Sequence, residues 1–241
     1  MRVDTKLGLF WVIFPPLVPL SVFIGLAALN VISKSADMPF VLYIVIGITI
    51  YRFMTQIITT TVNIFKSERG AIKNFNIPLV VLILSKNAIT FFHLIFRLIL
   101  VIFVVMYYGV ELRLDWFLIP IIFIFMTMFS LSIGVIFAFK NLLYKDYAKG
   151  LNLMMVYLLF VSSVIFPFPK DNLLGIINSF NPFNTYVDFI RGIFYHGINY
   201  VNYTVLGITS LISVVLFVYA CNLIYHAQYK VKSVLWWMIK Y

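Results

Sequence analysis

The chain alternates long apolar runs with short polar connections. Each of six runs is at least 18 residues long, and a helix of about 20 apolar residues crosses the hydrocarbon core of a bilayer. The pattern therefore predicts an all-α integral membrane protein, with six transmembrane helices in one domain comprising residues 1–241. The predicted spans are 7–32, 39–65, 77–108, 116–139, 151–168 and 201–225.

Composition strengthens this prediction. Hydrophobic residues make up 63% of the chain and charged residues 11%, whereas a soluble domain has roughly 25% charged residues. A water-soluble fold could not bury so much apolar surface, so the surrounding solvent is lipid. The net charge of +10 would point to nucleic acid in a soluble protein. Here the cations occupy short connections, so we expect them to set membrane topology, with no nucleic-acid partner.

Lysine and arginine are unequally distributed between the two sets of connections. If the N-terminus is cytoplasmic, twelve lie inside and four outside, while Arg52 and Arg97 fall within spans. Positive residues favour the cytoplasmic side. The count predicts a multi-pass protein of the plasma (inner) membrane with both termini in the cytoplasm. The first run follows Arg2 and Lys6 as in a signal peptide, but it is too long for one and is interpreted as an uncleaved span.

A short basic segment, 66–76, separates the second and third runs. Its apolar and charged residues alternate at helical spacing, which is typical of a short amphipathic helix at the membrane interface. A plain basic turn is the alternative. The apolar face is Phe65, Ile72 and Phe75, and the charged residues are Lys66, Glu68, Arg69 and Lys73.

The connection between the fifth and sixth runs is too apolar for a solvated loop. Prolines and glycines divide it, and Asn181 suits the N-cap of a helix that begins at Pro182. The segment predicts two short helices that enter the outer leaflet and return, where protein or water must shield the irregular backbone. A flat cover lying at the interface is the alternative.

Two arginines lie near the middle of predicted spans, Arg52 in the second and Arg97 in the third. A charge at the bilayer centre costs at least ~2.5 kcal/mol on insertion scales and marks a functional candidate. One hypothesis is a path that meets a phosphate-bearing substrate. The alternative is that the side chains snorkel or bond backbone carbonyls. Asp188 is the nearest candidate counter-charge, provided that the short helices reach inward.

Motifs for enzyme chemistry are missing from the sequence. There is no Gly-Lys-Ser/Thr phosphate loop. The three histidines and the single Cys221 have no metal-ligand spacing, and no carboxylate lies at the centre of a span. We therefore expect no catalytic residue, metal or cofactor in this chain, and any energy for transport must come from another chain.

Several short motifs occur in a characteristic order. Together they resemble the permease subunits of type-2 ABC exporters of polysaccharides, which export O-antigen, capsule or teichoic-acid chains. Tyr144-Lys145-Asp146 has lysine where that family has arginine, which removes a bidentate donor. The motifs are Leu7-Gly8-x-x-Trp11 with Pro15, segment 66–76 with Asn76-x-Pro78, Tyr144-Lys145-Asp146, Phe166-Pro167, Asn181-Pro182 and Arg191.

The resemblance implies a homodimeric permease with two separate ABC ATPase subunits, which would hold ATP and Mg²⁺. It implies a lipid-linked glycan as the substrate, in contact with membrane lipid. Segment 66–76 would be the coupling helix on the ATPase, and the connection before the sixth span would form the outer gate. The alternatives are a related ABC permease for lipids or drugs, an integral membrane enzyme of glycan assembly, and a membrane scaffold.

The resemblance also assigns residues to these roles. Those implied to couple to the ATPase are Lys66, Glu68, Arg69, Ile72, Lys73 and Phe75. The cytoplasmic loop motif is Tyr144, Lys145 and Asp146, and the outer-gate residues are Asn181, Pro182, Asp188 and Arg191. Arg52 and Arg97 are the candidate pathway residues.

Overall fold

A computed structural model describes residues 38–74, 77–111, 113–144, 146–167, 173–197 and 202–237. Throughout these ranges the regular structure is helical, and no strand occurs in them. The helices are α1 (Phe40–Val62), α2 (Ile64–Ser67), α3 (Arg69–Asn74), α4 (Leu79–Tyr107), a 3₁₀ helix (Leu114–Leu118), α5 (Ile119–Leu143), α6 (Asp146–Val161), α7 (Leu173–Ser179), α8 (Pro182–Tyr195) and α9 (Tyr203–Trp237).

Four stretches of helix are long and apolar enough to cross a membrane within the described ranges. They correspond to the predicted runs 39–65, 77–108, 116–139 and 201–225, so the all-helical prediction is confirmed, and four of the six predicted runs form helices of membrane length. The first predicted run, 7–32, lies outside the described residues. The membrane-length stretches are Phe40–Val62, Leu79–Tyr107, Leu114–Leu143 and Tyr203–His226.

The fifth run, predicted at 151–168, has different bounds in the structure. Helix α6 begins at Asp146 and ends at Val161, so it has 16 residues and a length of about 24 Å. The prediction, which was based on runs of apolar residues, missed the first turn of α6 because Asp146 and Lys149 are charged. Their side chains are largely exposed, 94% and 82%. An acidic residue in the first turn also favours a helix N-terminus.

The sixth run is longer in the structure than predicted. Helix α9 continues to Trp237, twelve residues beyond the predicted end at Tyr225. Charged and polar residues after Tyr225 ended the apolar run, but such residues are compatible with helix once the chain leaves the apolar layer. The end of the apolar pattern therefore marks a change of environment and not the end of the helix.

The chain forms two compact units. The first comprises Met1–Arg52, Phe92–Ile119 and Phe160–Asn202. In its described part, α8 is buried along most of its length, with Tyr186 and Ile190 fully enclosed. The 3₁₀ helix packs against the end of α8, where the Trp116 and Phe194 rings meet edge to face at 4.9 Å. Arg113 Nη1 fixes the same corner by donating to the His196 carbonyl at 2.7 Å.

The second unit comprises Phe53–Phe91, Pro120–Leu159 and Tyr203–Tyr241. Its described core joins the short helices α2 and α3 to the start of α4, to α5 and to α9. Asn87, which is buried, donates to Thr61 Oγ1 at 3.0 Å. The apolar core residues are Ile64, Phe65, Ile72, Leu79, Leu82, Ile83, Val135, Ala138, Ala220 and Ile224.

Candidate functional site

Arg191 is a buried arginine at the centre of the first unit, with 3% of its surface exposed. Its Nη1 donates to the Ser163 carbonyl at 2.7 Å and its Nη2 to the Val164 carbonyl at 2.6 Å. Its Nε donates to the Tyr43 carbonyl at 3.1 Å. The sequence analysis counted Arg191 with the cations of the outer connections and named it an outer-gate residue, and it gave no sign that backbone acceptors would enclose the guanidinium.

These acceptors exist because α6 ends before its backbone carbonyls find helical partners. The last carbonyls of any helix need donors from outside it, and residues 162–165 are buried. Asn178 Nδ2 donates to the Val161 carbonyl at 2.8 Å, and Asn181 Nδ2 donates to Ser162 Oγ at 3.1 Å. Together with Arg191, these side chains cap the end of α6.

The start of α8 fixes the position of Arg191. Asn181 is the N-cap, and its Oδ1 accepts from the Phe183 backbone N–H at 3.1 Å. Pro182 is the first residue of the helix, as predicted, because its fixed φ suits a first turn. Arg191 follows on α8 and turns its side chain toward the end of α6.

Tyr43 and Gly47 of α1 complete the environment of Arg191. The guanidinium carbon lies 3.5 Å from the centroid of the Tyr43 ring, which is a cation–π contact. The Tyr43 hydroxyl donates to the Ser163 carbonyl. A Cβ at Gly47 would collide with Arg191 Nη2 and lie 2.6 Å from the Val164 carbonyl oxygen, so glycine permits the close approach.

Asp188 is the half-exposed carboxylate beside Arg191. Its Oδ1 lies 3.0 Å from Arg191 Nη1, and its Oδ2 accepts from Asn184 Nδ2 at 2.7 Å. The sequence named Asp188 as a counter-charge for the arginines of the spans, whereas the structure shows it bonded to Arg191 and Asn184. The structure thus places Asn181 at the N-cap and Pro182, Asp188 and Arg191 on α8, with Asp188 bonded directly to Arg191.

The basic segment folds as two short helices, α2 and α3, and not as one. Glu68 lies between them, and its Oε1 forms an ion pair of 2.5 Å with Lys86 Nζ on α4. Phe65 and Ile72 are buried while Lys66 and Arg69 are exposed, so the predicted division into two faces is present at these positions. The Lys73 side chain and Phe75 lie outside the described residues.

The Tyr-Lys-Asp motif lies where α5 gives way to α6. Tyr144 is 66% exposed, Asp146 begins α6, and Lys145 lies outside the described residues. Asn141, which the sequence analysis did not identify, forms hydrogen bonds with the ends of two helices. The Asn141 Nδ2 donates to the Val62 carbonyl at 3.2 Å, and the Asn141 Oδ1 accepts from the Ala148 N–H at 3.2 Å.

The two span arginines both belong to the first unit. Arg52 on α1 is exposed and Arg97 on α4 is half-buried. His93 lies about one helical turn before Arg97 and is half-buried as well.

Sequence reasoning missed Tyr43, Gly47, Ser163 and Asn178. Tyr43 acts through its ring, hydroxyl and carbonyl, and the other three act through a backbone atom, a small volume or an amide. None of these properties stands out in an apolar sequence. In the part of the chain that the structure describes, no group of three or more His, Cys, Asp or Glu residues could hold a metal ion. No protein-family model matches the chain, and no curated protein matches it.

Proposed function

We propose that this chain is the transmembrane subunit of an ATP-driven exporter that moves a lipid-linked polysaccharide across the plasma or inner membrane. Four helices of membrane length and a mean hydropathy of +1.04 support a membrane-embedded role. The motif order described above supports the polysaccharide exporter class. In this proposal a second copy of the chain and two ATPase subunits complete the transporter.

The proposal rests on the way in which α2 and α3 pack against the rest of the second unit. Lys66 and Arg69 are exposed, while Phe65 and Ile72 are fixed in an apolar core. A segment that is packed into the core in this way can transmit a force to the helices that share the core. The sequence has no phosphate-binding loop of its own, so a partner that binds ATP is the natural source of that force.

The second supporting feature is the group around Arg191. Helices α7 and α8 have 7 and 14 residues, lengths of about 10 and 21 Å, which are too short to cross a bilayer. We interpret them as a re-entrant pair on the outer side, fastened to the end of α6 by Asn178, Asn181 and Arg191. In this position they would form the outer gate of the substrate path.

Co-purification tests the proposal. The tagged chain is expressed from its native genomic context and extracted in mild detergent, and the co-purifying chains are identified by mass spectrometry. An ATPase chain should be recovered in equal amount, and its ATP hydrolysis should depend on this protein. Glycan-assembly activity of the purified chain without an ATPase would instead favour a membrane enzyme and contradict the proposal.

The exported substrate separates the proposal from an exporter of lipids or drugs. Vesicles containing the permease and its ATPase should move a lipid-linked glycan in an ATP-dependent manner. Transport of phospholipid or a hydrophobic drug with no transport of the glycan would assign the chain to that related class.

A further inference from the structure

The turn between α5 and α6, residues 140–149, presents a cation beside aromatic rings. Lys140 is exposed in the last turn of α5. Its Nζ lies 5.4 Å from the centroid of the Phe137 ring and 6.0 Å from that of the Tyr147 ring, and distances up to about 6 Å allow a cation–π attraction. The ammonium group is therefore held in place on a surface that a partner can reach.

Hydrogen bonds fix the shape of this turn. The Asn141 side chain bonds the Val62 carbonyl and the Ala148 N–H, each at 3.2 Å, and thus ties both sides of the turn to the end of α1. The Tyr144 N–H donates to the Lys140 carbonyl at 3.0 Å. The cation and the rings beside it are therefore held on a defined backbone.

The tip of the turn exposes both apolar and polar groups. Leu143 is 64% exposed, Tyr144 66% and Tyr147 40%, and the centroids of the two tyrosine rings lie 6.1 Å apart. Tyrosine and lysine are typical of the boundary between membrane and water, where the ring or the aliphatic stem lies in the apolar layer and the polar end among the headgroups. The exposed side chains of this turn have that character.

The helices on either side place the turn at this boundary. The membrane-length stretch Leu114–Leu143 ends at the turn. Helix α6 exposes apolar side chains again at Leu153 and Tyr157, which are 60% and 68% exposed. The six residues from Tyr147 to Leu153 cover only about 9 Å of helix, and the headgroup region of one leaflet is roughly 5–7 Å thick. Surfaces that favour lipid thus bound the turn on both sides, and its own side chains lie among the headgroups.

The charge of the turn indicates which headgroups it attracts. Residues 140–149 include three lysines and one aspartate, a net charge of three minus one, or +2. Asp146 pairs with Lys149 at 3.8 Å, so its negative charge is directed at that lysine. Lysine near a membrane surface attracts anionic headgroups, and a zwitterionic headgroup offers no net charge to balance the turn.

We propose that the α5–α6 turn binds the headgroup of an anionic phospholipid. The Lys140 ammonium pairs with the phosphate, the Tyr144 and Tyr147 hydroxyls donate to its oxygens, and the Leu143 side chain enters the acyl layer. The lipid site is independent of the exporter function proposed above, because it requires only the turn and a bilayer. The turn fastens the ends of α5 and α6 to the membrane surface, whereas α2 and α3 meet the proposed ATPase.

A fluorescent label at the tip of the turn tests the site locally. Cys221 is replaced by Ser, and Leu143→Cys is labelled with bimane in vesicles that contain equal amounts of phosphatidylglycerol and phosphatidylcholine. In each sample only one of the two lipids has brominated acyl chains, which quench the label on contact. Brominated phosphatidylglycerol should quench at least twofold more strongly than brominated phosphatidylcholine. Equal quenching by both lipids, or quenching by neither, would overturn the proposal.

Charge variants show whether Lys140 causes the preference. Lys140→Gln should abolish the difference between the two brominated lipids, and Lys140→Arg should retain it. The matched control is Lys149→Gln, at an exposed lysine that pairs with Asp146, and it should retain most of the difference. A full preference in Lys140→Gln, at an unchanged thermal midpoint, would contradict the assignment of the site to Lys140.

A protein partner at this turn would give a different result. In the complex purified from native membranes, Lys140→Gln would then lower the amount of the co-purifying chain, and the Leu143 label would be shielded from both brominated lipids, which would overturn the lipid site. Loss of the lipid preference with unchanged co-purification supports it. The absence of any ATPase chain would refute the exporter alone, since the quenching experiment uses only this chain and lipid.

Discussion

The Arg191 guanidinium lies against the Tyr43 ring, with its central carbon 3.5 Å from the ring centroid. Both residues bond the Ser163 carbonyl, Arg191 through Nη1 and Tyr43 through its hydroxyl. The contact therefore joins α1, the end of α6 and α8 at one backbone oxygen. The importance of this contact can be tested by replacing Arg191, which is the donor, or Gly47, which leaves space for the guanidinium.

Replacing Arg191 should destabilise the protein more than replacing any exposed cation. Arg191→Met removes one donor from each of three backbone carbonyls, of which that of Ser163 keeps the Tyr43 hydroxyl, and a hydrogen bond to a charged group contributes about 1.5–3 kcal/mol. We expect the free energy of unfolding to fall by about 3 kcal/mol or more, and the thermal midpoint in detergent to fall by roughly 6–12 °C. Lys149→Met, at a side chain that is 82% exposed, should change the midpoint little.

Arg191→Lys separates charge from geometry. Lysine keeps the positive charge but has no planar fork for two neighbouring carbonyls. The thermal midpoint should lie between those of the wild type and Arg191→Met. A midpoint equal to that of the wild type would mean that the charge alone stabilises the end of α6.

Gly47→Ala should destabilise the protein through steric conflict. The added Cβ would collide with Arg191 Nη2 and lie 2.6 Å from the Val164 carbonyl oxygen, so the bonds around Arg191 must rearrange. Overpacking of this kind costs about 1–3 kcal/mol. The measurement is the thermal midpoint of the purified variant.

Gly207→Ala is the matched control, because a Cβ there meets no atom within 4 Å. Alanine is the better helix former by about 1 kcal/mol, so Gly207→Ala should have a midpoint equal to or above that of the wild type. If both variants lose stability equally, the close approach at Gly47 is not the cause of the effect there.

In the proposed exporter, the Glu68–Lys86 ion pair should affect energy coupling more than stability. The pair is partly exposed, with 18% and 39% of the side chains accessible, and such pairs contribute about 1 kcal/mol or less. Glu68→Lys should nevertheless loosen α2 and α3 from α4 and raise the ATP hydrolysed per glycan exported. The double variant Glu68→Lys with Lys86→Glu should restore the ratio, and failure of that rescue would remove the pair from the coupling route.

Arg69→Glu tests the partner surface directly. Arg69 is exposed at the start of α3, so the change leaves the apolar core intact. If this surface meets the ATPase, export should fall at least tenfold while the protein stays in the membrane. Unchanged export in Arg69→Glu would move the coupling contact to another segment such as 140–149.

The sequence alone predicted the helices that coincide with long apolar runs. Helices α1, α4, α5 and α9 were recovered because a lipid-crossing helix needs about 20 apolar residues, and this requirement is local. The bounds of α6 were missed because its first turn carries Asp146 and Lys149. The N-cap at Asn181 and Pro182 was predicted correctly because capping is a property of neighbouring residues.

The burial of Arg191 could not be predicted from the sequence. Its acceptors Tyr43, Ser163 and Val164 lie 148, 28 and 27 residues away, and all three contribute a backbone carbonyl. A backbone carbonyl is present at every position, so no residue type marks the ones that accept. Gly47 gave no signal either, because it matters only through the space that its missing side chain leaves.

The cap at the end of α6 also orders events during synthesis of the chain. The carbonyls of Ser163 and Val164 leave the ribosome before the guanidinium that bonds them, because Arg191 follows 28 and 27 residues later. At about 5–20 residues per second this interval lasts on the order of a few seconds. Throughout it the Val164 carbonyl lacks the donor that it has in the folded chain, while the Ser163 carbonyl can already accept from the Tyr43 hydroxyl. Helix α8 must therefore be made before the end of α6 can acquire its final set of hydrogen bonds.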